Sequence, residues 1–330
     1  MVAIWLVILT HVIEHSGIAD YTRILRPLLY SIDRVGVPIF LMCMGALSVS
    51  YKGEIPFEKI FKRFLQLSVI LVSFSILTNA IYLLIDGKPL YNAIALSIRW
   101  SNVILHGSAG YAIHLWYLIM FLPLYLLTPF LIKMISLCSE KEAKIFLALC
   151  FVFGPISSVI FSITGKNLLS EMSSHFTGTY VFYVLAGHLI FHNKLLNKEP
   201  KQAKRTGIIL FLAGITSTVT LLALWPSLSD PLLWYSTSPT IAISSIGAFL
   251  FIVSAFKNKE VRTAEYFSSN SFGAYLSHFA LILIASYLIK AFAPETSSSI
   301  KALLLLLAAS ISFPLTWALR KNRVANYFVS

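Results

Sequence analysis

The stretch FLQLSVILVSFSILTNAIYLLI, residues 64–85, decides the fold class. It holds no charged side chain in 22 residues. Wound as an α-helix at 1.5 Å per residue it reaches about 33 Å, enough to cross a hydrocarbon core of about 30 Å. In lipid every backbone N–H and C=O must be satisfied within the segment, and a helix does this unaided. Nine further apolar runs lie near residues 1–18, 35–51, 115–136, 145–163, 177–193, 207–225, 239–256, 271–290 and 301–319. The run at 35–51 is short, and the run at 177–193 carries His188 and His192. The connections are short, polar and punctuated by Gly, Pro, Ser and Asn, and none is long enough for a soluble domain. The expected fold is an all-α integral membrane protein: a polytopic bundle of about ten transmembrane helices, one domain over residues 1–330.

Composition agrees. Of 330 residues 57% are hydrophobic and only 12% charged, against about 25% charged in a typical soluble domain. A soluble globule of this length has no means of hiding so much apolar surface. Disorder, a coiled coil and a disulfide scaffold are excluded with it. An outer-membrane barrel would show alternating segments of about ten residues, not continuous apolar runs. Cys43, Cys138 and Cys150 have no metal-binding spacing and read as small core residues. The net charge of +12 fits loop lysines facing an anionic leaflet, so no nucleic-acid partner is expected; the partner is the lipid bilayer.

Loop charge orients the chain. With both termini cytoplasmic, 18 Lys and Arg fall on inner segments and 8 on outer ones, so the positive-inside rule favours N-in and C-in. The densest inner cluster runs from Lys194 to Arg205. The first run starts at Met1 with no basic lead-in and is followed by no small-residue cleavage site, so we do not expect it to be a signal peptide. We expect its helix to begin upstream of Met1.

Ionisable groups inside a span are costly and are functional candidates by default. His11 lies about 15 Å into the first helix, near the middle of the bilayer. Glu14 and His15 follow at i+3 and i+4, on the same helical face. A carboxylate one turn away can orient an imidazole for proton transfer; alternatively His11 hydrogen-bonds a neighbouring helix. Lys62 and Arg63, within Phe61-Lys62-Arg63-Phe64, stand at a cytoplasmic helix start. They read either as a phosphate grip or as an ordinary positive flank. Arg34 enters the second run, where it can snorkel to the interface. His114, with Trp116 and Tyr117, enters the fourth, as a site residue or part of an interfacial aromatic belt. Ser271, Tyr275 and His278 recur at helical spacing in the ninth and suit one polar interior, for catalysis or interhelical hydrogen bonding. No Walker loop, dinucleotide fingerprint, zinc-protease motif or nucleophile elbow is present.

Taken in order, these pieces resemble the membrane-bound acyltransferase 3 family, and the likeness runs nearly the whole chain. The family's first helix carries an Arg, ten intervening residues and a His; here Met1 to Thr10 precede His11, and the Arg would fall just before Met1. Arg34-Val35-Gly36-Val37-Pro38-Ile39-Phe40 with Met44-Gly45 resembles its RVxVPxFF…SG segment, Met44 replacing Ser. Phe61-Lys62-Arg63-Phe64-Leu65-Gln66 resembles its basic signature, with Gln66 where a further Arg is common. His114-Leu115-Trp116-Tyr117-Leu118 is similar to its HLWFL, and Ser271 to His278 to its SxGIYLxH. The resemblance implies a bacterial inner-membrane enzyme. It would move an acyl group, usually acetyl, from cytoplasmic acyl-CoA to a hydroxyl of a surface or lipid-linked glycan. His11 would be the base and Lys62 and Arg63 would meet the CoA phosphates. A thioester needs no metal, and no cofactor beyond the acyl-CoA donor is expected. Some relatives are assigned to export, so a translocator of polysaccharide or lipid-linked sugar is the alternative.

Overall fold

The computed structural model describes residues 1–21, 24–48, 54–101, 109–164, 178–192, 199–225, 238–256, 259 and 261–330. Arg23, Lys52, Lys166, Lys194, Lys198 and Lys257, which entered the loop-charge count, lie outside the described residues. The described secondary structure is helical. Among the described residues, eight helical stretches are long and apolar enough to cross a membrane: 25–47, 57–85, 113–137, 140–161, 200–224, 239–256, 271–292 and 298–319. Two shorter apolar helices, Val2–Ser16 and Tyr180–Phe191, fall on the two remaining predicted runs. Large apolar side chains such as Leu303, Leu304, Leu307 and Ile311 lie uncovered by protein. In water such a face would be costly; in a bilayer it meets acyl chains.

The chain forms two compact units. The first comprises 1–19, 56–126 and 261–330. It contains α1 (Val2–Ser16), α4 (Phe57–Ile85), α5 (Leu90–Ser101) and the first half of α6 (Trp116–Leu137). Later in the chain it contains α12 (Arg262–Ser269), α13 (Ser271–Phe292), α14 (Ser298–Ser310), α15 (Ser312–Leu319) and α16 (Arg323–Val329). Helix α13 is its centre and packs on α1, α4, α14 and α15. Helix α1 buries Ile4, Val7, Ile8, His11 and Val12 against this core and stops at Gly17, whose φ of 72° needs a residue without a Cβ.

The second unit comprises 20–55 and 127–260. It contains α2 (Leu25–Asp33), α3 (Gly36–Leu47), α7 (Glu140–Phe151), α8 (Ser157–Thr164), α9 (Thr179–Phe191), α10 (Pro200–Leu224) and α11 (Pro239–Phe256). A π-turn at Val152–Ile156 absorbs Pro155 between α7 and α8. The backbones of α3 and α9 touch at Gly45 and Gly187; a Cβ on either would collide with the other helix's main chain. Small residues at a crossing let membrane helices approach for dispersion contact. His188 donates from Nδ1 to the Gly45 carbonyl at 3.2 Å. One of the two histidines in the sixth run thus fastens this crossing.

Candidate active site

Three helices of the first unit bring His11, His114 and His278 around the ring of Phe279. His11 meets it edge-on at 5.0 Å between centroids, and His114 stacks on it at 4.9 Å. The His278 ring lies 5.5 Å from that of His11 and 5.5 Å from that of His114. All three histidines are buried, His11 at 7% exposure and His278 at 0%.

The partners assign the protons. A carbonyl or carboxylate oxygen only accepts, so the ring nitrogen facing it carries the hydrogen. His11 donates from Nδ1 to Glu14 Oε2 at 3.0 Å; in the neutral ring Nε2 then holds the lone pair. His278 donates from Nδ1 to the carbonyls of Tyr275 at 2.7 Å and Ala274 at 3.1 Å. His114 donates from Nε2 to the Leu276 carbonyl at 3.3 Å, and Tyr275 donates its hydroxyl to the His114 carbonyl at 2.7 Å. His278 Nε2 and His114 Nδ1 are then buried acceptors with no hydrogen-bond partner in the structure. Such atoms are costly to leave unmet, and a hydroxyl-bearing molecule would satisfy them.

His11 with Glu14, and Tyr275 with His278, are the pairs expected from helical spacing; the structure brings both pairs together with His114. Ser271 stands at the α13 start, two turns before His278, and donates to the Ser268 carbonyl at 2.7 Å. Trp116 turns outward at 39% exposure. Arg34 belongs to the second unit, where its guanidinium lies 3.8 Å from Asp33 and 4.9 Å from the Tyr30 ring centroid. Lys62 reaches Glu58 at 2.7 Å and both side chains are exposed. Arg63 donates from Nη1 to Gln66 at 2.7 Å and from Nη2 to the Ser330 carbonyl at 2.9 Å, and Gln66 donates to the Tyr327 carbonyl at 2.8 Å. Gln66 therefore helps Arg63 hold helix α16.

Two positioning residues escaped the sequence reading. Phe279 is an ordinary phenylalanine in an apolar run. Asn79 is buried mid-span, accepts from the Tyr111 N–H at 2.7 Å and donates to the Ala109 carbonyl at 2.9 Å. It pins the segment that carries His114 into place. A lone Asn in residues 64–85 was the available signal. Among the described residues, no group of three or more His, Cys, Asp or Glu side chains is arranged to hold a metal ion.

An intramembrane imidazole with one nitrogen fixed by a carboxylate and the other free is the equipment of a general base. The acyltransferase 3 family profile, described as an acyltransferase domain, matches residues 1–321. The chain belongs to that family and is a multi-pass membrane acyltransferase. No curated protein and no solved structure matches it.

Proposed function

We propose that this acyltransferase is an O-acyltransferase, in particular an O-acetyltransferase, of the bacterial inner membrane, with acyl-CoA as donor and a surface or lipid-linked glycan as acceptor. The reading includes ten spans, the eight long helices and two short ones, with both termini cytoplasmic. It treats residues 1–330 as one acyltransferase domain. The length and order of the motifs resemble the O-acetyltransferase that modifies enterobacterial common antigen.

The observation that carries the mechanism is the 3.0 Å hydrogen bond from His11 Nδ1 to Glu14, made by a buried histidine within a membrane helix. It leaves Nε2 to take the proton of an acceptor hydroxyl. The freed oxygen attacks the thioester carbonyl, a C–O bond forms, and the C–S bond breaks. The proton on Nε2 then passes to the departing CoA thiolate, which returns His11 to its starting form. Glu14 holds the ring and stabilises the transient imidazolium. Lys62 and Arg63, on the first turns of α4, are the candidate contacts for the CoA phosphates.

The test is mass spectrometry of surface glycans from cells with and without the chain. A gain of one acetyl group on a glycan hydroxyl supports the reading. Glycan that moves across the membrane with unchanged acylation would make the chain an exporter.

A further inference from the structure

A cleft of about 740 Å³ opens in the first unit where the ends of α1, α4 and α13 meet the lead-in to α14. Its size is that of small-ligand sites, which run to roughly 300–1,000 Å³. His15 forms part of the wall. That residue lies one helical turn, about 6 Å, beyond His11. It donates from Nδ1 to the His11 carbonyl at 2.9 Å, and its ring also meets Phe279, at 5.4 Å. The cleft is thus joined to the His11 main chain by a hydrogen bond, and to its ring only through their shared neighbour Phe279. The basic start of α4 lies at the opposite end of that helix. Arg63 and the cleft residue Tyr82 are 19 residues apart, about 29 Å along the axis.

The wall chemistry is that of a polar ligand. Tyr82 and Tyr287 put aromatic rings in the wall, against which the C–H groups of a pyranose can pack, and Tyr82 is held by stacking on Tyr111 at 3.9 Å. Asp86 offers a carboxylate for sugar hydroxyls, and Ser286 Oγ is buried with no hydrogen-bond partner in the structure. Lys290 and Lys301 add two cations, Lys301 half-buried. Against the single carboxylate of Asp86 this leaves an excess of one positive charge. A neutral sugar does not use that excess; an anionic group does.

We propose that this cleft is the acceptor subsite and that it takes a pyranose carrying a carboxylate or a phosphate group. The assignment rests on the acyltransferase reading of His11. A hydroxyl of the bound sugar lies toward His11, and Lys290 and Lys301 hold the anionic substituent.

Binding is measured apart from turnover. The full chain in phosphatidylcholine nanodiscs is titrated with methyl glucuronide, glucose 6-phosphate and methyl glucoside, followed by saturation-transfer NMR. At least one acid should bind about tenfold or more tightly than the glucoside, and the tighter acid identifies the substituent as carboxylate or phosphate. A Lys290→Gln/Lys301→Gln variant should lose that preference, and His11→Ala should keep it. Equal binding of acid and neutral sugars by the unaltered chain would overturn the proposal, whatever the variants do. So would displacement of the acid by phosphatidylglycerol or by free CoA, which would give the cleft to lipid or donor. Acid-selective binding without acyl transfer would leave the cleft standing and refute the enzymatic reading instead. Acyl transfer that is indifferent to both lysines would do the reverse.

Discussion

Glu14→Gln isolates the carboxylate that fixes the His11 ring. The amide keeps the size of the side chain and removes its charge. It can also turn its NH2 toward Nδ1, which would favour the tautomer with the hydrogen on Nε2 and hide the lone pair needed for chemistry. A hydrogen bond to a charged group contributes about 1.5–3 kcal/mol. The Glu14 side chain keeps 28% exposure, which screens its charge, so the lower end applies. A loss of about 1.5 kcal/mol at the transition state corresponds to roughly a tenfold fall in kcat. Since Glu14 holds the base and not the donor, KM for acyl-CoA should change little. The assay is CoA thiol release by the purified chain in nanodiscs with a saturating glycan acceptor. An unchanged kcat in a well-folded Glu14→Gln protein would refute the role given to this pair.

Arg63→Ala should raise KM for acyl-CoA about tenfold or more, as expected for losing a charge-assisted contact of about 1.5–3 kcal/mol; unaltered kinetics would return Lys62 and Arg63 to the role of a topological flank. Asn79→Leu strips the Ala109 carbonyl and the Tyr111 N–H of their side-chain partner, and two buried unmet groups should cost about 2 kcal/mol or more. Thermal unfolding should fall by several degrees, and an unchanged Tm would show that another group takes over the contacts. A reporter fused after Ser330 should be active only in its cytoplasmic form; periplasmic activity would invert the assigned orientation.

Much of the bundle was legible in sequence because lipid imposes one rule on every span: long, apolar and helical. Within the run at 177–193, Thr179–Phe191 is helical despite His188 because its ring nitrogen finds the Gly45 carbonyl. The short helices α5, α12 and α16 were not anticipated. They lie in polar connections where no bilayer-length pattern announces them. In the site, each intramembrane histidine stood out by its cost. Their convergence on Phe279 did not, because it depends on α1 and the turn Ile113–Leu115 meeting α13 across more than 150 residues of chain. Lys290 and Lys301 entered the sequence reading only as outer charges. The cleft that gathers them exists only once α4, α13 and α14 are assembled.

The most direct measurement concerns His11 itself. Cells lacking the native chain are supplied with either the unaltered protein or His11→Ala, with membrane insertion of both verified, and their surface glycans are compared by mass spectrometry. The expected result is acetylated glycan with the unaltered chain and none with His11→Ala. Near-normal acetylation with His11→Ala would contradict the assignment of the base and leave His114 and His278, with their unmet ring nitrogens, to carry the proton.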